Sequence, residues 1–266
     1  MPTIFSTPYP LHAETEGDNR RPALLLVNPL GTNLHVWDPM IDKLKEHHFV
    51  IRFDARGHGE SRSDEPVEPY VVEDLGRDCL AILDAYDVPR ASVFGASLGG
   101  LAALWMAATH PERVDRLIVA SAGGTIGPDG WWARTIETVK AGGVAAMADH
   151  LERVFFSEQC RSDAPGICAD AREMLLSTPD DAYIAGAEAI LHSEVGPLVG
   201  DIRASTLLIF GAVDPVLVHT PAYDLLDQIP DAEAVEVAGA SHRVILEQSG
   251  PIADLVYEFL ADPDGR

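Results

Sequence analysis

Basic residues are scarce in this chain. Nineteen lysines and arginines stand against 42 aspartates and glutamates, a formal net charge of −23 over 266 residues. That balance repels phosphate backbones and anionic lipid, so it argues against nucleic acid and membranes as partners. It also means that a negatively charged small molecule needs a local basic pocket. Long apolar runs are missing too, since none reaches the ~18 residues of a membrane helix. Residues 1–19 hold no basic stretch followed by an apolar core, so no secretory signal is expected. Cysteine is limited to Cys79, Cys160 and Cys168. These lack C-x-x-C spacing, and their odd number argues against a disulfide framework. None is a strong nucleophile candidate, and Cys79 falls on the apolar face of a helix. A reducing cytoplasm is the expected compartment. No His, Cys or Asp set carries metal-ligand spacing, so neither a metal nor an organic cofactor is expected. No internal repeat or low-complexity segment appears.

What the chain does have is core material. Its hydrophobic content of 47% suits one α/β domain with a good core and an inserted lid. The organising stretch is residues 91–108. A short apolar run (91–94) reads as a buried parallel strand, and residues 98–109, rich in Ala and Leu, read as a buried helix. Between them lies Gly95-x-Ser97-x-Gly99, the spacing of a nucleophile elbow. In so sharp a turn, side chains two residues either side of the serine would collide. The serine itself takes a strained backbone conformation and presents its hydroxyl at the top of the sheet. A chance Gly-x-Ser-x-Gly occurs in roughly one chain in ten of this size, and the strand-before, helix-after context cuts that figure sharply.

The rest alternates. Residues 3–15 suggest a hairpin at the sheet edge. Strands are expected at 23–27, 49–53, 116–121, 206–210 and 234–237. Helices are expected at 37–44, 71–86, 221–228 and 251–260, with Leu75, Cys79, Ile82, Leu83 and Tyr86 on the buried face of the second. This order predicts a mostly parallel sheet with right-handed crossovers. After a flexible link at 122–130 the chain turns helical to about residue 200, with breaks at Gly142-Gly143, Pro165-Gly166, Thr178-Pro179 and Gly196-Pro197. The expected organisation is a core of residues 1–124 and 201–266 with a helical cap of residues 125–200. The underside of such a cap commonly lines a pocket. Trp132, Phe155 and Tyr183 are its apolar candidates, and Arg134, Lys140 and Arg153 its candidates for an anionic substrate.

A serine hydroxyl needs a base to take its proton, and that base needs an acid to hold its tautomer. Asp214 and His242 both follow late strands at the same sheet end as Ser97. The order Ser97, Asp214, His242 is the one associated with the α/β-hydrolase fold. In that arrangement Leu30, in the turn after the first long strand, and Leu98, after the serine, would supply the oxyanion-hole N–H groups. His58, in the charged loop at 54–61, is the weaker choice of base. That loop reads as a brace near the site.

On these motifs the chain resembles the α/β-hydrolase superfamily over nearly its whole length. Within it the chain is similar to the 3-oxoadipate enol-lactonases, which hydrolyse an enol-lactone in bacterial aromatic catabolism. The similar stretches are residues 30–37 (LGTNLHVW), 54–61 (DARGHGES), 95–100 (GASLGG), 211–215 (GAVDP), Ser241-His242, and the cap segment 182–190 (AYIAGAEAI). Asn28-Pro29 before Leu30 departs from the pattern, as do Ala96 and Leu98, where Leu and Met often flank the serine. The resemblance implies an α/β-hydrolase fold, a mostly parallel central sheet flanked by helices with an inserted helical cap. It also implies a serine hydrolase acting on a small-molecule lactone or ester. The alternatives are a carboxylesterase or C–C hydrolase of other metabolism, including secondary metabolism, and a non-hydrolytic ligand-binding protein that keeps the fold.

Overall fold

The computed structural model describes residues 3–6, 9–217 and 222–261. Its eight strands are β1 (Thr3–Ser6), β2 (Tyr9–Glu16), β3 (Ala23–Val27), β4 (Phe49–Phe53), β5 (Ala91–Ala96), β6 (Val114–Ala120), β7 (Ser205–Gly211) and β8 (Ala232–Val237). They form one sheet in the order β1-β2-β4-β3-β5-β6-β7-β8. The β1 and β2 hairpin is antiparallel, as is β2 on β4, and every later pairing is parallel. Strands β3, β4 and β5 are buried at every position. Covered on both faces, such strands carry continuous apolar runs rather than alternation. Arg52 is the exception in β4, and it is paired with Glu14 and Glu16 at 3.0 and 2.6 Å and with Asp38.

The helices of the core are α1 (Asp38–Leu44), α2 (Val72–Ala85) and α3 (Leu98–Thr109), joined at the end of the chain by α9 (Ala222–Gln228), α10 (Val244–Glu247) and α11 (Ser249–Ala261). On α2 the residues Leu75, Cys79, Ile82 and Leu83 are buried, as their spacing predicts, and Tyr86 just beyond is half-buried. Burial pushes the Cys79 thiol far above its usual range, which suits packing rather than reactivity. Helix α3 is buried from Leu98 to Ala107, the signature of a helix enclosed on all sides.

Between β6 and β7 run α4 (Trp131–Gly142), α5 (Ala148–Phe155), α6 (Glu158–Asp163), α7 (Pro165–Ser177) and α8 (Asp180–Leu191), followed by a 3-10 turn at Gly196–Asp201. Several local details differ from the sequence reading: β6 and β8 each begin two residues earlier than expected, and the short helix α10 stands before α11. A further break separates α5 from α6 at Ser157, whose hydroxyl caps α6 by accepting from the Cys160 N–H at 3.0 Å. Helix α11 starts at Ser249, two residues before Pro251. Proline is tolerated in a first turn because its missing N–H has no intrahelical partner there. Among the described residues, no helix is long and apolar enough to cross a membrane.

The parallel register aligns the strand ends. Val27 pairs with Gly95, Ala96 with Ala120, Ala120 with Ile209, and Gly211 with Val237. The loops after β3, β5, β7 and β8 therefore open on one edge of the sheet, where such folds place ligands.

Candidate active site

Ser97 stands between β5 and α3 with φ 52° and ψ −118°. A non-glycine residue in this region costs about 1–3 kcal/mol and persists only where its surroundings impose it. Here the Ser97 N–H donates to Ala120 O at 2.8 Å. A Cβ on Gly95 would lie 2.2 Å from Gly99 O, and one on Gly99 would lie 2.2 Å from Val27 O. Both positions must be glycine for the turn to close this tightly.

The three residues singled out from the sequence meet in a line. His242 Nε2 lies 3.1 Å from Ser97 Oγ, and His242 Nδ1 lies 2.8 Å from Asp214 Oδ2. Asp214 Oδ1 accepts from the Val216 N–H at 2.8 Å, which orients the carboxylate. All three are at least 95% buried. With Nδ1–H donated to Asp214, the Nε2 lone pair faces the serine hydroxyl, the arrangement that lets an imidazole take a proton from it. Leu98 is the first residue of α3, where backbone N–H groups have no intrahelical acceptor. The Leu30 and Leu98 side chains both converge on Gly186 of α8, where a Cβ would lie 2.4 Å from Leu30 Cδ1 and 3.4 Å from Leu98 Cδ2. The two expected oxyanion donors thus sit under one helix.

The loop at 54–61 does brace this region. Asp54 accepts the Leu34 and Glu60 N–H groups at 2.7 and 2.8 Å. His58 Nδ1 donates to Arg56 O at 2.9 Å, and its Nε2 accepts the Gly31 N–H at 3.2 Å. It steadies the turn that carries Leu30 and is spent as a base. Burial lowers the His58 pKa from 6.5 to about 4. The unfolded chain therefore binds a proton near pH 6.5 that the folded chain refuses until about 4, so this contribution to stability is full above 6.5 and is lost as the pH falls through that window. In urea unfolding at pH 7.5 and 4.5, wild type should lose about 2 kcal/mol more than His58→Gln. Equal losses would dismiss the role.

From the cap, Phe155 and Tyr183 reach the site. The Phe155 ring centroid is 5.0 Å from that of His242. The Tyr183 ring packs on Gly31, where a Cβ would stand 3.2 Å from Tyr183 Cε2. Trp132 is buried and donates its indole N–H to Ile126 O at 2.7 Å, holding the link into the cap. The three basic candidates do not join these groups. Arg134, Lys140 and Arg153 are all exposed, and Lys140 faces Glu137 and Glu188 at 3.6 and 3.9 Å. The basic group that does approach the site is Arg243, which the sequence reading passed over. It is 5% exposed, its Nη2 donates to Leu30 O at 2.9 Å, and its guanidinium lies 4.9 Å from the Phe155 ring centroid. The only signal for it in the sequence is adjacency to His242. Glu247 clasps cap to core, accepting N–H groups of Ser157 and Ser241 at 3.2 and 3.0 Å, while the Arg243 N–H donates to Phe155 O at 2.9 Å. Among the described residues, no group of three or more His, Cys, Asp or Glu side chains is placed to hold a metal ion.

Comparison with known proteins bears on the family and the fold. The family model of the alpha/beta hydrolase fold matches residues 22–249. The 3-oxoadipate enol-lactonase 2 of Acinetobacter baylyi is 34% identical over 246 residues, covering 92% of this chain and 91% of that protein. The crystal structure of the enol-lactonase from Burkholderia xenovorans LB400 superposes with a TM-score of 0.92 at 28% identity, covering 98% of this chain and 99% of that one. A hydrolase from Pseudomonas aeruginosa superposes with a TM-score of 0.90 at 30% identity, covering 97% and 98%. With its elbow, its sheet order and a family match spanning most of its length, this chain belongs to the α/β-hydrolase family.

Proposed function

We propose that the protein is a cytoplasmic serine hydrolase that opens a small lactone or ester, with an enol-lactone of the 3-oxoadipate type as the leading substrate. The observation that carries this is the Ser97–His242–Asp214 line, with contacts of 3.1 and 2.8 Å. Ser97 Oγ attacks the lactone carbonyl carbon while His242 Nε2 takes its proton. The tetrahedral oxyanion is held by the N–H groups of Leu30 and Leu98, each worth about 3 kcal/mol of barrier. As the ring C–O bond breaks, the leaving oxygen collects the proton from His242, and the opened chain stays attached to Ser97 as an ester. Water, deprotonated by His242, then attacks that ester, and Ser97 regains its proton. The helical cap (residues 125–200) covers the site and excludes bulk water. The scheme calls on no metal or organic cofactor.

The names of the two curated relatives that are 34% and 30% identical over nine-tenths of the chain favour a lactone over an open-chain ester. A panel of small lactones and esters, with 3-oxoadipate enol-lactone included, tests this. The expected result is fast opening of the enol-lactone, with kcat/KM at least ~100-fold above that of generic esters. Hydrolysis of generic esters alone would discard the lactonase assignment and leave a carboxylesterase or C–C hydrolase. Binding without turnover of any member would favour a ligand-binding protein.

A further inference from the structure

Three arginines of the described chain are at least 94% buried: Arg52, Arg56 and Arg243. Two of them have carboxylates. Arg52 pairs with Glu14, Glu16 and Asp38, and Arg56 holds Asp78 through two nitrogens at 2.6 and 2.9 Å. Arg243 has no acidic partner among the described residues; its side chain is held by one carbonyl, Leu30 O, and one aromatic face, Phe155. Burial pulls its pKa down to about 10, so at neutral pH it remains a cation. A buried charge without a counter-ion is costly, and it is retained where something else supplies the opposite charge.

The surroundings indicate what that something is. The Tyr183 hydroxyl is buried and has no hydrogen-bond partner. Tyr183 interacts electrostatically with Arg243, and burial keeps its phenol protonated, hence a donor. A small cavity between α5 and α7 touches Arg243 from the cap side; the one carboxylate in its wall, Glu152, is paired with Arg172 at 3.3 Å and leaves Arg243 without a counter-ion. The position is next to the reacting centre, because Arg243 follows His242, Phe155 touches both residues, and Leu30 is an expected oxyanion donor. A chain of net charge −23 otherwise repels an anionic substrate.

We propose that Arg243 and the Tyr183 hydroxyl receive a carboxylate carried by the substrate itself, and so select an anionic lactone over a neutral one of the same shape. This rests on the lactone-opening function proposed above. A guanidinium can hold a carboxylate through two parallel hydrogen bonds, which lysine cannot reproduce.

The test is a matched pair, a γ-lactone bearing an acetate side chain and the same lactone bearing the primary amide. Wild type should favour the acid by about 100-fold in kcat/KM, chiefly through KM. In Arg243→Met that ratio should fall by about 100-fold, and Arg243→Lys should recover only part of it. If Arg243 served only to steady Leu30, the substitution would lower kcat for both lactones and leave the ratio unchanged, which overturns the proposal. Should Arg243→Met not fold, inhibition of wild type decides. Pentanoate should compete at least tenfold more tightly than pentanamide, and equal inhibition overturns the assignment. Wild type that opens both lactones equally refutes this inference alone; wild type that opens neither of them nor 3-oxoadipate enol-lactone refutes the lactone-opening function and this inference with it; and if only the enol-lactone is opened, the pentanoate and pentanamide inhibition decides.

Discussion

Replacing Ser97 with Ala should lower turnover of the lactone by about six orders of magnitude and leave the fold intact. In the proposed mechanism the three residues act as a unit, so that loss of the nucleophile costs about as much as loss of all three. The stability expectation comes from the backbone. Alanine at 97 inherits the same φ of 52° and keeps the N–H bond to Ala120 O. It gives up one hydrogen bond to His242, so the unfolding midpoint should move by no more than a few degrees. Asp214→Asn is the companion. It keeps the shape of the acid but disfavours the tautomer that frees Nε2, and should lower kcat by about 10⁴. The double variant should be no slower than Ser97→Ala alone. Rates are read by disappearance of the lactone and folding by circular dichroism. A Ser97→Ala protein that retains a tenth of wild-type turnover would end the serine mechanism.

Local constraints were legible in the sequence, and long-range ones were not. The elbow could be read because its glycines answer to contacts within a few residues, Gly95 to Gly99 and Gly99 to the end of β3. Strands β3 and β4 were legible to the residue, because wholly buried parallel strands are unbroken apolar runs. Asp214 and His242 could be placed because both follow strand ends on the edge where β5 delivers Ser97. The position of β4 beyond β3 is a property of the whole sheet, and no single segment encodes it. The basic residues were the least legible part for the same reason. Arg134, Lys140 and Arg153 lie on cap helices, and nothing local separates an arginine that points to solvent from one that points inward. Arg243 is buried by Phe155 and Leu30, far from it in sequence. His58 was legible as part of a brace, but its acceptor role toward Gly31 depends on the approach of two loops.

Asp78→Ala should be the most damaging change away from the reacting groups. Asp78 lies on α2 with its side chain fully buried, one residue from Cys79 on the packed face. It grips Arg56 through two hydrogen bonds of 2.6 and 2.9 Å, and the guanidinium lies 5.4 and 5.7 Å from the Tyr9 and Tyr70 ring centroids. Removing the acid strands a cation that water cannot reach, at a cost of about 3–5 kcal/mol. For a chain of this size that lowers the melting temperature by roughly 10 °C. The damage should also reach the site. Arg56 carries the carbonyl to which His58 donates, and His58 holds the Gly31 N–H in the turn beside Leu30. A loosened Arg56 therefore misplaces an expected oxyanion donor, which appears as a lower kcat with little change in KM. The double variant Arg56→Met, Asp78→Leu separates the two effects. It replaces the pair with apolar side chains and should restore most of the lost stability. The loop then keeps Asp54 and His58 but loses the Arg56 clamp, so kcat should stay below wild type. A single Asp78→Ala variant that melts within two degrees of wild type would mean that the pair contributes nothing to holding α2 against the brace.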